Sequence, residues 1–177
     1  MDVTATARRL LESVPAHRTA GIQVLLAADG VARLTLTAPG CLSTSATGEG
    51  SLHVGGLVTL LDATGLAAVI ASCTSDAEVD DLVPLGASAT LDFRAPGRGR
   101  LVCECTMDDD ARVALRRVLA GEIPRARIGT LSEIVDGTGA VICSGTFRWN
   151  VRARRQGPDG APTPARDLAG RFPPLPW

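Results

Sequence analysis

The sequence predicts an α+β protein in which an antiparallel sheet wraps around one long central apolar helix. Three observations support this fold class. Residues 54–73 are mostly small apolar side chains, a run long enough for a buried helix. Segments with strand patterns precede and follow this run, and turn-forming sequences separate them. Only 3% of the 177 residues are aromatic, so the core must consist of closely packed aliphatic side chains.

The first 52 residues predict a helix and a hairpin. Residues 3–14 have apolar side chains at helical spacing, and Pro15 ends the pattern. Two β-rich runs follow at 21–27 and 31–37 around Asp29-Gly30, a sequence that favours a tight hairpin turn. Residues 38–52 are small and turn-forming, which is typical of a loop.

The apolar run predicts a helix from near Gly55 to around Ser72. Its length also fits a membrane span, but Asp62 lies near the middle, where a carboxylate would cost about 2.5–3.5 kcal/mol on insertion. The run also lacks flanking arginine and interfacial tryptophan. We therefore expect a buried helix and no membrane association, with 74–81 as a polar connection.

The second half of the chain predicts about four strands and one further helix. The strands are expected at 85–94, 101–107, 130–135 and 140–152. In the last strand, residues 141, 143, 145, 147, 149 and 151 share an apolar face, which indicates a half-buried antiparallel strand. Residues 108–127 have aspartates at the start and arginines later, a charge order that suits a helix dipole.

These elements divide the chain into an N-terminal helix at 1–14, a main domain at 15–152 with a helical insert at 108–127, and a tail rich in proline and arginine at 153–177. The tail either packs on a neighbouring surface or is disordered. Because a sheet covers one face of a helix only, a monomer would leave a helix face or a sheet edge exposed. We therefore expect a homodimer or a dimer of dimers.

Charge and cysteine content exclude several function classes. The net charge is -1 and no strong basic block is present, which argues against nucleic-acid binding. The five cysteines contain no CxxC pair, and with two histidines no zinc-ligand spacing can be assembled. We expect no metal site, reduced thiols in the core and, because the N-terminus has no signal-peptide pattern, a cytoplasmic protein.

The segment from His53 to Asp62 is the candidate for chemistry. Glycines 55 and 56 at the start of a helix leave backbone N–H groups available to a carbonyl oxygen or an oxyanion. Asp62, two turns further along, has apolar neighbours, so its pKa should be raised. The competing interpretation is structural: Asp62 would hydrogen-bond to nearby backbone, Thr59 or Thr64.

This pattern resembles the hotdog-fold acyl-CoA thioesterases of the phenylacetate-pathway (PaaI-like) type. The His-Val-Gly-Gly turn, the apolar helix and the acid nine residues after His53 carry the resemblance. The segments 91–96 (Leu-Asp-Phe-Arg-Ala-Pro) and 145–148 (Gly-Thr-Phe-Arg) extend it, and in total it covers about 15–152. It implies a hotdog fold and hydrolysis of an acyl-CoA thioester to a free acid and CoA, without a cofactor other than the CoA of the substrate.

The resemblance also implies roles for individual residues. Asp62 would be the catalytic carboxylate, acting as general base toward water or as nucleophile on the thioester. The oxyanion donor would be the N–H of Val54, where the family usually has glycine, or that of Gly55. His53 would orient the loop.

The remaining assignments concern positions where this chain departs from the family pattern or offers positive charge. Thr47 stands where relatives often have Asn or Gln, and Glu49 nearby is either a solvated turn residue or an assistant to a water. Gly56 and Ser88 would contact substrate. Candidates for the CoA phosphates are Arg94, Arg98, Arg100 and Arg148, although each of them also fits an ordinary surface arginine.

Two alternatives remain open at this point. The first is a non-catalytic acyl-CoA-binding module or sensor on the same fold. The second is a hotdog hydratase or dehydratase, which would pair an Asp with a His. We rank it last because His17 lies before the first predicted strand. The acyl group and the role of the insert, in the pocket or in a larger oligomer, stay undetermined.

Overall fold

The computed structural model describes residues 1–37, 44 and 50–154. These residues form five helices: α1 (Val3–Leu11), α2 (Pro15–Ala20), α3 (Val54–Ile70), α4 (Asp76–Asp81) and α5 (Asp109–Leu119). The same residues form six strands: β1 (Ile22–Ala28), β2 (Val31–Thr37), β3 (Leu82–Phe93), β4 (Arg100–Thr106), β5 (Ala126–Val135) and β6 (Val141–Ala153). The α+β prediction is confirmed.

All six strands form one antiparallel sheet in the order β1-β2-β4-β5-β6-β3. The hairpin between β1 and β2 turns at Asp29 and Gly30, whose φ angles are 51° and 75°. Two consecutive positive φ angles give a turn whose twist matches that of the strands. The local sequence therefore determined this hairpin.

Helix α3 packs across one face of the sheet and contacts β1, β2, β4, β5 and β6. The predicted alternation of β6 is confirmed, because Cys143, Phe147, Trp149 and Val151 are buried while Arg148 and Asn150 are exposed. Aliphatic residues supply most of the core, as the composition requires. Trp149 is the one fully buried aromatic side chain among the described residues, and its indole N–H donates to the Thr130 hydroxyl at 3.0 Å.

Gly65 lets α3 lie close to the sheet. A Cβ at this position would be 2.9 Å from Trp149 Cζ2 and 3.0 Å from Thr130 Oγ1. We expect Gly65→Val to lower the free energy of unfolding by about 2–3 kcal/mol, the range of overpacked cores. Urea denaturation at fixed protein concentration measures this. The exposed helical residue Ala77, changed to Val, is the matched control, and an equal loss there would contradict a steric cause.

The structure differs from the sequence prediction most at three elements, and β3 also begins at Leu82, three residues earlier than expected. Two short helices occur where none was predicted: α2, which begins at Pro15, and α4, which lies within the polar connection and is capped by the Ser75 side chain. Strand β5 begins at Ala126, four residues earlier than expected. Short helices carry little apolar periodicity, and the start of β5 depends on pairing with the end of β6.

Two surfaces that a partner copy would be expected to cover are exposed. Strand β3 is a sheet edge, and its residues 85–90 are all exposed. On α3, the half-buried residues form a single stripe at helical spacing, which we call the open stripe: Gly55, Val58, Thr59, Asp62 and Leu66. No helix within the described part of the chain is long and apolar enough to span a membrane.

Candidate functional site

The start of α3 presents one backbone donor that has no hydrogen-bond partner among the described residues. His53 is the N-cap; its Nδ1 accepts the Gly55 N–H at 3.0 Å, and its carbonyl oxygen accepts the Gly56 N–H at 2.8 Å. The N–H of Val54 donates neither to His53 Nδ1 nor to the His53 carbonyl oxygen, and it has no other hydrogen-bond partner among the described residues. Of the two donors that the sequence left open, Val54 is therefore the one whose N–H can face a ligand.

The two glycines of this turn have a local packing reason. A Cβ on Gly55 would be 3.1 Å from His53 Nδ1, and one on Gly56 would be 2.9 Å from the Leu52 side chain. Gly55 therefore leaves room for the capping imidazole, and Gly56 packs against Leu52. Gly56 is buried, so its backbone is less open to a substrate than the sequence pattern suggested.

Asp62 lies on the open stripe of α3. Its side chain is 38% exposed, so a small molecule can reach the carboxylate. Burial raises the pKa of Asp62, and a positive charge on His17 opposes that rise. A carboxyl group with a raised pKa is a stronger proton acceptor than an ordinary carboxylate, and its partial exposure lets a substrate or water reach it.

The threonines that could have engaged Asp62 bond elsewhere. Thr59 Oγ1 donates to the Gly55 carbonyl oxygen at 2.8 Å, and Thr64 Oγ1 donates to the Leu60 carbonyl oxygen at 2.6 Å. Both bonds stay within α3. The structural interpretation, in which these hydroxyls satisfy Asp62, therefore finds no support in the described residues.

His17 is the neighbour of Asp62 that sequence reasoning missed. It is buried on α2, its Nδ1 lies 3.0 Å from the Leu11 carbonyl oxygen, and its Nε2 lies 4.0 Å from Asp62 Oδ2. The two residues are 45 positions apart, and only the packing of α2 against α3 brings them together. The available signal was weak: an acid in an apolar helix needs a partner, and the chain has two histidines.

The arginine-rich turn between β3 and β4 lies beside the start of α3. The Leu52 N–H donates to the Gly97 carbonyl oxygen at 2.7 Å, which ties the two segments together. Arg94 is engaged by Asp92 at 2.9 Å, and Arg100 donates to Thr35 Oγ1 at 3.2 Å. Arg98 is exposed and has no ion pair with any described residue.

Two other candidates lie away from α3. Ser88 and Arg148 are cross-strand partners on β3 and β6, so they share a face of the sheet. Because Phe147 and Trp149 point toward the core, that face is the one opposite α3. Within one subunit, neither Ser88 nor Arg148 joins Asp62. Thr47 and Glu49, as well as Cys41, lie outside the described residues; the other four cysteines are buried and free.

The predicted helical insert is α5, which packs against β5 and β6. Its Arg112 and Arg116 reach the Asp29 carbonyl oxygen at 2.8 Å and Thr74 Oγ1 at 3.4 Å. A cavity of about 740 Å³ lies here, between α5, the β1–β2 turn and the C-terminal end of α3. Neither Asp62 nor the start of α3 lines it. The insert therefore lies at the end of α3 remote from the candidate site.

Comparisons with solved structures give the fold. A probable thioesterase from Pseudomonas aeruginosa is 26% identical, with a TM-score of 0.66 over 85% of this chain and 95% of that one. A putative thioesterase from Shewanella oneidensis is 16% identical, with a TM-score of 0.67 over 86% and 99%. The Escherichia coli PaaI protein from the phenylacetic acid degradation operon is 16% identical, with a TM-score of 0.58 over 82% and 93%.

No protein-family model matches the sequence, and no curated protein matches it. The structural neighbours nevertheless bear out the expected fold and the resemblance to PaaI-like proteins. The chain has the hotdog fold, and proteins described as thioesterases and the PaaI protein are among its structural neighbours.

Proposed function

We propose that the protein is a thioesterase-type hydrolase that cleaves an acyl-CoA thioester into a free acid and CoA. One observation carries the proposal: a carboxyl group with a raised pKa lies on the open stripe of the central helix, in a fold shared with probable thioesterases. Structural neighbours described as thioesterases support a thioesterase-type hydrolase. The substrate and the residue roles are our proposal.

The chemistry assigned to Asp62 is general base catalysis. The Asp62 carboxylate takes a proton from a water molecule as the water oxygen bonds to the thioester carbonyl carbon. The negative charge that develops on the carbonyl oxygen is stabilised by the N–H of Val54 at the positive end of the α3 dipole. The C–S bond then breaks, and the departing thiolate receives the proton held by Asp62.

Within a single subunit, the two groups are poorly spaced to serve one thioester. Val54 and Asp62 are eight residues apart on α3, which places them about 12 Å apart along the helix axis. An amide donor, a carbonyl group, an attacking water and a base span about 10 Å at most, even when fully extended. The proposed site therefore combines Asp62 of one subunit with the start of α3 of its partner.

The edge strand β3 supports a dimer that would build such a site. It has no strand partner on its outer side within the described part of the chain, and its Leu85 and Phe93 are 53% and 45% exposed. A long edge with exposed apolar side chains favours pairing with a second copy. We propose that two subunits associate along β3 and cover the open stripes of both central helices.

Positive charge beside the start of α3 suits the phosphates of CoA. Arg98 lies on the turn that is hydrogen-bonded to Leu52, immediately before the helix, and it is free of ion pairs with the described residues. A guanidinium group binds phosphate oxygens through two parallel N–H bonds. Arg98 is therefore the arginine that we propose for phosphate binding, ahead of Arg94, which Asp92 engages.

The function is tested by measuring thiol release from a panel of acyl-CoAs with short, long and aromatic acyl groups. We expect hydrolysis of at least one class at a rate well above the uncatalysed reaction. The same panel is examined by calorimetry. Binding of intact acyl-CoA without thiol release would replace the enzyme by a binding module or sensor, and the absence of both would reject acyl-CoA as the ligand.

A second candidate function has one observation in its favour. His17 lies 4.0 Å from Asp62, so the structure supplies the His–Asp combination that a hydratase or dehydratase would need. The sequence argument ranked this reaction last because His17 precedes the first strand, and that reason does not hold in the folded chain. Loss of an enoyl-CoA chromophore without thiol release would favour the hydratase over the thioesterase.

A further inference from the structure

We infer that His17 is the proton partner of Asp62: a positioning residue that holds the carboxyl group in place and shares one proton with it. The inference deepens the proposed function, on which its kinetic consequence rests. The pairing itself stands on geometry alone. It begins with the hydrogen bond that fixes the imidazole ring.

The Leu11 carbonyl oxygen determines which nitrogen of His17 carries a proton. His17 Nδ1 lies 3.0 Å from this oxygen, and a carbonyl oxygen can only accept a hydrogen bond. Nδ1 is therefore protonated in either charge state of the ring. In a neutral ring, Nε2 is consequently the nitrogen without a proton.

The second nitrogen faces Asp62. Nε2 lies 4.0 Å from Oδ2, and the His17 side chain is only 5% exposed. If His17 were neutral and Asp62 ionised, two acceptors would face each other beside a buried imidazole, which is unfavourable. A proton on Nε2 gives an ion pair across 4.0 Å, whereas a proton on Oδ2 leaves one donor and one acceptor facing each other at more than hydrogen-bonding distance. In both favourable states Nε2 of His17 and the Asp62 carboxyl group hold one proton between them.

Other charged groups near the pair are occupied elsewhere. Within the described residues, neither His17 nor Asp62 forms an ion pair with any other side chain. On α1, the nearest acid in sequence is Glu12, which accepts the Val24 N–H at 2.8 Å and pairs with Arg8 at 3.7 Å. On α2, Arg18 is exposed and forms no ion pair with the described residues. The proton is therefore shared by His17 and Asp62 and by no third group.

This arrangement has a consequence for the proposed reaction. In the ion-pair state His17 carries the shared proton, so Asp62 is ionised and can take a proton from water. The imidazole, fixed by the Leu11 carbonyl oxygen, then keeps the carboxyl group oriented until the thiolate leaves. Loss of this support should reduce kcat more than it changes KM, because it acts on the proton transfer and not on substrate binding.

The test removes Nε2, which faces Asp62, and keeps a hydrogen-bond donor in the place of Nδ1. In His17→Asn, the side-chain N–H₂ can replace Nδ1–H toward Leu11, and nothing remains to face Asp62. We follow the carboxyl group of Asp62 by ¹³C NMR in the full chain, assigned with Asp62→Asn. Because a cationic His17 lowers the pKa of Asp62, its removal should move the titration midpoint of Asp62 to higher pH.

The controls separate this inference from the proposed function. Thr19→Ala, an exposed position on the same short helix, should leave the midpoint unchanged. If His17→Asn fails to fold, His17→Gln offers Asp62 an N–H that does not titrate, and an altered midpoint is again expected. An unchanged midpoint in the folded variant overturns the inference. A shifted midpoint in a protein that hydrolyses no acyl-CoA supports the pairing while rejecting the proposed function.

A kinetic measurement completes the test in the active protein. We expect His17→Asn to lower kcat about tenfold or more, since misplacement of a reacting group by about 1 Å has effects of this size or larger. KM should stay within about twofold. The acid limb of the kcat/KM profile should move to higher pH, and a uniform loss of rate with an unchanged profile would contradict the assigned role.

Discussion

Asp62→Asn is expected to abolish most thiol release, by about 10²–10⁴-fold in kcat, because the amide cannot accept a proton from water. The exposed Asp80, changed to Asn, is the matched control and should retain wild-type activity. Thiol release from the best acyl-CoA of the panel measures both variants. Full activity of Asp62→Asn would exclude Asp62 as base or nucleophile.

The same substitution should leave the fold intact. Burial raises the pKa of Asp62 in the folded protein, so at neutral pH the ionised group opposes folding. Removal of the charge therefore gives a melting temperature that is equal to or above that of the wild type. In the wild type, kcat/KM should fall as the pH decreases through this raised pKa, since the base becomes protonated.

Val54→Pro is expected to lower kcat by about 10²–10³-fold, the typical cost of one lost oxyanion donor. Proline removes the backbone N–H, and the first position of a helix tolerates it. The residue before proline must be extended, and His53 already is, with φ -60° and ψ 143°. Val54→Ala retains the N–H and is the control. Equal rates for the proline and alanine variants would exclude the Val54 N–H as the donor.

The two inactive variants together test the shared site. If Asp62 of one subunit acts with Val54 of its partner, a mixed dimer of Asp62→Asn and Val54→Pro contains one intact site. Random pairing of equal amounts should then restore about a quarter of the wild-type activity. Co-expression with two affinity tags isolates the mixed dimer. A mixed dimer without activity would place both groups in the same subunit.

Much of the fold could be predicted because its signals are local. The Asp29-Gly30 turn requires positive φ angles that few sequences favour. The alternation of apolar and polar residues in β6 indicates which face of the strand is buried. The apolar run determined α3, and the predicted helix agrees with the observed one to within two residues at each end. Prediction failed at α2 and α4, whose six residues each carry little periodic signal.

In the candidate site, too, the residues with a local sequence signal could be predicted and the others could not. Asp62 could be identified from the sequence because burying a carboxyl group in an apolar helix costs free energy unless a hydrogen bond or charge compensates it. Its partner His17 did not, because a contact between residues 45 positions apart depends on how two helices pack. The choice of Val54 over Gly55 likewise required the capping bond from the Gly55 N–H to the His53 ring.

The sequence by itself therefore determined the central helix, the strands around it and the acid that interrupts its apolar surface, since each depends on side chains close together in the chain. Only the tertiary structure decided which side of α3 stays open, which arginines are already engaged and which imidazole meets Asp62. Those properties arise from contacts between distant segments, and the burial that brings these segments together leaves no local pattern in the sequence.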